Sequence, residues 1–136
     1  MLRFEFHPPS ELGGPVVMPY VDDVALADLV DRFELAAGMS PAGEAYGGLI
    51  PAYFRGTMAE HFHGLAAEDG KTTLLACACG DWGCWPLLAR VTVTGDEVVW
   101  DSFGQPHRPE RDYRGFGPFR FARAQYDAAV LRFGSA

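Results

Sequence analysis

The sequence predicts an α+β fold: an antiparallel β-meander with short N-terminal strands, packed by two main helices. Three observations predict it. Residues 72 to 107 alternate apolar and polar positions around two Gly-Asp turns. Helical i, i+3, i+4, i+7 stripes occur at residues 26 to 37 and 126 to 133. Two short strand-like runs, LRFEFH and VVMPYV, precede the first stripe.

The meander has a readable register. In Thr94-Gly95-Asp96-Glu97, Gly95 and Asp96 both tolerate positive φ, so a two-residue turn sets Val93 opposite Val98, Val91 opposite Trp100 and Arg90 opposite Asp101. Gly80-Asp81-Trp82-Gly83 is expected to join the preceding strands in the same way. That sets Cys79 opposite Cys84, Ala78 opposite Trp85, Ala76 opposite Leu87 and Leu74 opposite Ala89. Opposed residues share a face, so Leu74, Ala76, Ala78, Trp85, Leu87, Ala89, Val91, Val93, Val98 and Trp100 form a charge-free core face. The other face gathers Cys77, Cys79, Cys84, Arg90, Asp101 and, if the register continues, His107 opposite Cys84. One bulge at Gly104 or Pro106 would turn His107 away.

The other elements follow in chain order. Residues 2 to 7 read as a strand ended by Pro8-Pro9, with His7 on the surface, and Gly13-Gly14-Pro15 turns into residues 16 to 21. Asp22-Asp23 is expected to cap a helix over about 23 to 37 that buries Leu26, Leu29, Val30, Phe33, Ala36 and Ala37. Asp28, Asp31, Arg32 and Glu34 are expected on its solvated face. Residues 38 to 70 are broken by Gly47-Gly48 and Pro51, with a tethering contact at Tyr46, Leu49 and Ile50 and a short helix over 58 to 66. Residues 108 to 121 read as an ordered segment laid across the meander, ending in a short strand. A helix over about 122 to 133 buries Tyr126, Ala129, Val130 and Phe133 and stops at Gly134.

Whole-chain properties bound the function. A chain of 136 residues suits a single domain, 1–136, with one sizeable core. A net charge of −7 and a single lysine argue against nucleic-acid binding. No apolar run is long enough to span a membrane, and the N-terminus lacks a signal-peptide core, so membrane partners are not expected. Three cysteines, an odd number, suit a reducing cytoplasmic location.

The strongest chemical signal is Cys77-x-Cys79-x4-Cys84 with the later His107. Cys3His is a common structural set for zinc, although cysteines two apart on a regular strand are too widely spaced, so a metal requires bending at Gly80 or Gly83. Two alternatives stand beside it: reduced thiols packed as small hydrophobes, and redox or nucleophilic use of Cys79 and Cys84, with Arg90 and His107 near the thiols. His61 and His63 have a metal-like H-x-H spacing, but residues two apart on a helix do not face each other. The known nucleotide-binding loops, zinc-protease and deaminase motifs and nucleophile elbow are absent, which lowers an enzymatic reading. The segments CACGDWGCWPLLARV, VVWDSFGQPHRP, DYRGFGPFRF and AQYDAA are similar to a family of uncharacterised bacterial proteins over roughly residues 72 to 130. That family has no assigned activity. The resemblance implies a shared fold, and that the cysteine turn and Gln105-Pro106-His107-Arg108 form one structural unit. The expected function is therefore a structural or partner-binding domain, with a protein partner or a second copy of the chain docking on its mixed face. A zinc-binding protein and a thiol-dependent redox enzyme are the alternatives.

Overall fold

The computed structural model describes residues 1–8, 14–43 and 45–134. Strands β1 (Leu2–His7) and β2 (Val16–Val21) pair antiparallel, from Leu2↔Val21 to His7↔Val16. Leu2 and Phe4 are buried, as the alternation requires. His7 does not sit in a surface loop: it ends β1, with its Nε2 2.9 Å from the Tyr20 hydroxyl. The turn expected at Gly13-Gly14-Pro15 lies partly outside the described residues.

Asp22-Asp23 is a turn and not a helix cap. Both residues have positive φ (49° and 66°), as a two-residue hairpin turn needs, and they return the chain into β3 (Val24–Ala25) against the end of β2. Aspartate is one of the few residues besides glycine that visits this region. The helix accordingly starts later than expected. It is α1 (Leu26–Ala36), with no side-chain cap at Ala25.

The second sheet has five antiparallel strands in sequence order: β4 (Tyr46–Gly47), β5 (Thr72–Cys77), β6 (Leu87–Val93), β7 (Glu97–Gly104) and β8 (Phe119–Ala122). Between β4 and β5 lies α2 (Met58–Phe62), which opens with a capping box. There the Thr57 hydroxyl accepts from the Glu60 N–H and the Glu60 carboxylate accepts from the Thr57 N–H, each at 3.0 Å. It stops short of the expected residue 66, since the chain turns through a positive φ of 78° at Gly64. The last helix is α3 (Arg123–Gly134).

The β6–β7 register is as expected, with Val93↔Val98, Val91↔Trp100 and Arg90↔Asp101. Nearer the end of β7 the register steps by one residue before Leu88↔Gly104, where Ser102 has a φ of 54°, and this bulge precedes His107. The β5–β6 register differs from expectation. Thr72 faces Ala89, Thr73 faces Leu88 and Leu75 faces Leu87, with an irregularity at Leu74. Gly80 to Gly83 is therefore not a two-residue turn. Residues 78 to 86 form a longer loop outside the ladder. Of the expected core face, Leu74, Ala76, Trp85, Leu87, Ala89, Val98 and Trp100 are buried, Val91 and Val93 are half-buried, and Ala78 is exposed.

Both sheets and the helices feed one apolar cluster. Tyr126 ties α3 into it, since its hydroxyl accepts from the Trp100 indole N–H at 3.0 Å and donates to the Phe62 carbonyl. Gln125 brackets Leu2, accepting from its N–H at 2.9 Å and donating to its carbonyl at 2.6 Å, which fixes α3 to β1. Among the described residues no helix is long and apolar enough to cross a membrane.

Candidate metal centre

The loop after β5 brings the three thiols together. Cys77 is the last residue of β5, paired with Tyr46 of β4. The chain then folds on itself: the Gly80 N–H donates to the Cys77 carbonyl at 2.8 Å, and the Cys77 N–H donates to the Asp81 carbonyl at 3.2 Å. Gly80 supplies the bend with a φ of 99°, a conformation a side chain strains. The Ala78 N–H is held by the Ala45 carbonyl at 2.9 Å. This close approach needs Gly47, since a Cβ there would lie 3.1 Å from the Ala78 Cα. Finally Asp81 caps the return, its Oδ1 accepting from the Gly83 N–H at 2.8 Å.

In this fold the sulfurs of Cys77, Cys79 and Cys84 lie within 4.8 Å of one another. All three are free thiols, with Cys77 and Cys79 half-buried and Cys84 exposed. The Cys79 N–H points at the Cys77 sulfur at 3.4 Å, which fixes the two residues' relative position in the loop. A tetrahedral zinc with bonds of about 2.3 Å sets its sulfurs about 3.8 Å apart. The cluster therefore closes on an ion with movements of about 1 Å or less.

His107 is not a member of this group. The bulge at Ser102 steps the register, β7 ends at Gly104, and His107 sits in an exposed turn on the rim of a cleft it shares with Trp82 and His61. The residue of that turn that reaches the loop is Arg108. Its Nη2 donates to the Cys84 carbonyl at 3.2 Å, its Nη1 to Gln105 Oε1 at 3.3 Å, and its guanidinium lies 4.2 Å from the centre of the Trp85 ring. The two histidines of the H-x-H pair are engaged elsewhere. His61 is buried and stacked on Phe54, with Nε2 2.7 Å from the Thr73 carbonyl, and burial holds its pKa below the usual value. His63 has Nδ1 2.6 Å from the Ala59 carbonyl and Nε2 2.6 Å from Asp127.

Behind the loop is a buried polar cluster that the sequence reading missed. Glu34, expected in solvent, is fully buried. Its Oε2 accepts from the Tyr46 hydroxyl at 2.7 Å and the Tyr113 hydroxyl at 2.5 Å, and lies 3.2 Å from Arg111 Nη2. That nitrogen is close enough to form an ion pair, although its N–H is not aligned for a hydrogen bond. Gln105 completes the cluster by donating to the Tyr46 hydroxyl at 2.5 Å. Burial, reinforced for Tyr46 by its hydrogen bonds to Tyr113 and Glu34 and for Tyr113 by its bond to Glu34, pushes both phenols up, so both remain donors. The signal was available, since Glu34 stands four residues after Val30 and eight after Leu26, on the stripe that α1 buries. Through Tyr46 opposite Cys77 and Arg108 at Cys84, this cluster braces both ends of the cysteine loop.

No protein-family model, curated protein or solved structure matches the chain.

Proposed function

We propose that this is a metal-binding protein that holds zinc, or another thiophilic ion, on Cys77, Cys79 and Cys84. The observation that carries the reading is the mutual approach of three free sulfurs within 4.8 Å on one short loop. Thiolate sets select zinc and copper(I) over the hard cations. All three ligands lie within residues 77 to 84, so the ion staples the turn that closes the β5–β6 connection. Exposure of Cys84 leaves the fourth position to water or an incoming ligand.

Protein purified without an affinity metal is expected to carry one equivalent of zinc by elemental analysis, or to take up cobalt(II) with sulfur-to-metal charge-transfer absorption. Each of Cys77→Ser, Cys79→Ser and Cys84→Ser should weaken uptake by at least about tenfold, the lower end of what losing even an outer-shell partner of a ligand costs. Full uptake by Cys84→Ser, or absence of the charge-transfer band in the wild type, overturns the reading. His107→Ala is expected to keep the metal. A loss equal to that of the cysteine variants would instead add His107 to the ligand set.

A further inference from the structure

The chain carries a net charge of −7, yet one cavity of about 320 Å³ is lined by Lys71, Arg108 and Arg111 with no aspartate or glutamate among the described residues. We infer that this cavity binds the oxyanion of a small ligand, a phosphate or a carboxylate, between the ammonium of Lys71 and the guanidinium groups of Arg108 and Arg111.

The three cations are held in place by different means. Arg111 is nearly sealed, its side chain only 6% exposed, and is fixed by its Nε donating to the Tyr113 hydroxyl at 3.0 Å and by Glu34. Its Nη1 has no hydrogen-bond partner among the described residues and is not among the sealed unpartnered atoms, and Arg111 lines the cavity. Arg108 is clamped by Gln105, the Cys84 carbonyl and the Trp85 ring. Gln105 is itself 97% buried by its 3% exposure, so the polar wall is built and not a surface accident. Among the described residues Lys71 has no ion pair within 4.0 Å, although Asp69 is only two residues away. Its Nζ lies 3.5 Å from where a Cβ on Gly104 would stand, so the absence of a side chain at Gly104 leaves the ammonium room over the cavity.

Charge counting supports an anion. Glu34 lies behind Arg111 and offsets one of the three positive charges, and in the adjoining cleft Glu68 is paired with Arg55 while Asp69 also lines the wall near Lys71, so the cavity keeps an excess of positive charge centred on Arg108 and Lys71. Planar guanidinium groups match the paired oxygens of phosphate and carboxylate, and a nearby ammonium adds a point charge. The cavity shares Lys71, Leu88 and Pro106 with the cleft of about 500 Å³ walled by Trp82 and His61, which provides space for the rest of such a ligand. The site does not depend on metal at the cysteines, although both share Arg108.

The test is a titration of the full chain with inorganic phosphate and, separately, acetate at constant ionic strength, read from the tryptophan indole N–H signals. Either anion should give a saturable shift at Trp85, which Arg108 covers, and none at Trp100. Lys71→Gln should weaken binding by about tenfold, as expected for loss of one charge-assisted contact, while Lys71→Arg should retain it. A response to phosphate alone or to acetate alone identifies the source of the oxyanion. Binding should persist when all three cysteines are replaced by serine, which separates this result from failure of the metal reading. No saturable shift with either anion up to about 20 mM, or equal binding by Lys71→Gln, overturns the inference.

Discussion

The two Gly-Asp turns of the meander look alike in sequence and fold differently. Around Gly95-Asp96 the Thr94 N–H donates to the Glu97 carbonyl at 2.9 Å and the flanking ladder keeps its register for four pairs. Around Gly80-Asp81 there is no ladder, and the backbone bonds are local or reach sideways to Ala45. The first turn is set by its neighbours in the chain: alternating valines on both sides give one register that buries the apolar set. The second is flanked by Cys-Ala-Cys and Cys-Trp-Pro, where no alternation penalises a slip and Pro86 cannot donate to a ladder. One turn is architecture, and the other is free to be shaped around sulfur.

If that division is right, damage to the hairpin should unfold the protein. Val98 is fully buried opposite Val93. Val98→Asp buries an unpaired carboxylate and should cost about 4 kcal/mol or more, seen as a collapse of the denaturant midpoint. Asp81→Ala in the loop, which removes the bond to the Gly83 N–H, should cost only about 1 kcal/mol. Comparable losses would mean that the loop is as integral to the core as the hairpin.

The next effect concerns the cluster bracing the loop. Glu34→Ala removes the acceptor of two phenols and leaves Arg111 buried without a counter-charge. Breaking a buried pair in this way costs about 3 kcal/mol, whereas replacing the whole group with apolar residues of similar volume need not. Glu34→Leu combined with Arg111→Met should therefore recover part of the loss in urea melts. A double variant no more stable than Glu34→Ala removes the ion pair as the cause.

These contrasts explain what was legible in the sequence. The α+β class, the β6–β7 register and the final helix follow from periodicity, which is local information. Asp22-Asp23 misled because the same residues suit a helix cap and a positive-φ turn, and only pairing with β2 decides between them. The three cysteines were correctly grouped although their register was wrong, because any tight return between residues 79 and 84 brings them near one another. His107 was not, since it stands ten positions after Glu97, beyond the end of β7 at Gly104, and the bulge at Ser102 intervened. The partners of Glu34 lie 12 and 79 residues away, beyond what any local pattern encodes.

A smaller effect should appear with acid, on the loop side of the molecule. His61 packs at 5.5 Å against Trp82, and its folded pKa is held by burial below the unfolded value of about 6.5. Below about pH 6.5 the unfolded chain takes up a proton that the folded chain resists, so stability is full above that pH and declines as pH falls towards the folded pKa. The slope cannot exceed about 1.4 kcal/mol per pH unit for one proton. Urea midpoints at about pH 7.5 and about pH 5.5 should fall in the wild type and fall less in His61→Phe, which keeps the stack on Phe54. Equal declines would assign the acid sensitivity to other groups.

The smallest effect separates two arginines. Arg90 stands opposite Asp101 on the exposed side of the hairpin, where the ladder holds the backbone whatever the side chain does. Arg108 has no ladder beneath it, and its bonds to Gln105 and the Cys84 carbonyl, with its stack on Trp85, help fix the loop. Arg90→Ala should cost under about 1 kcal/mol, in the range of exposed charges. Arg108→Ala should cost about 1 to 2 kcal/mol, the sum of a cation–π contact and one or two hydrogen bonds. The sharper difference lies in metal uptake: Arg90→Ala should leave cobalt(II) affinity unchanged, and Arg108→Ala should lower it by loosening the position of Cys84. If the two variants bind metal equally well, the cysteine loop holds its shape through its backbone bonds alone, and the guanidinium serves only the oxyanion cavity.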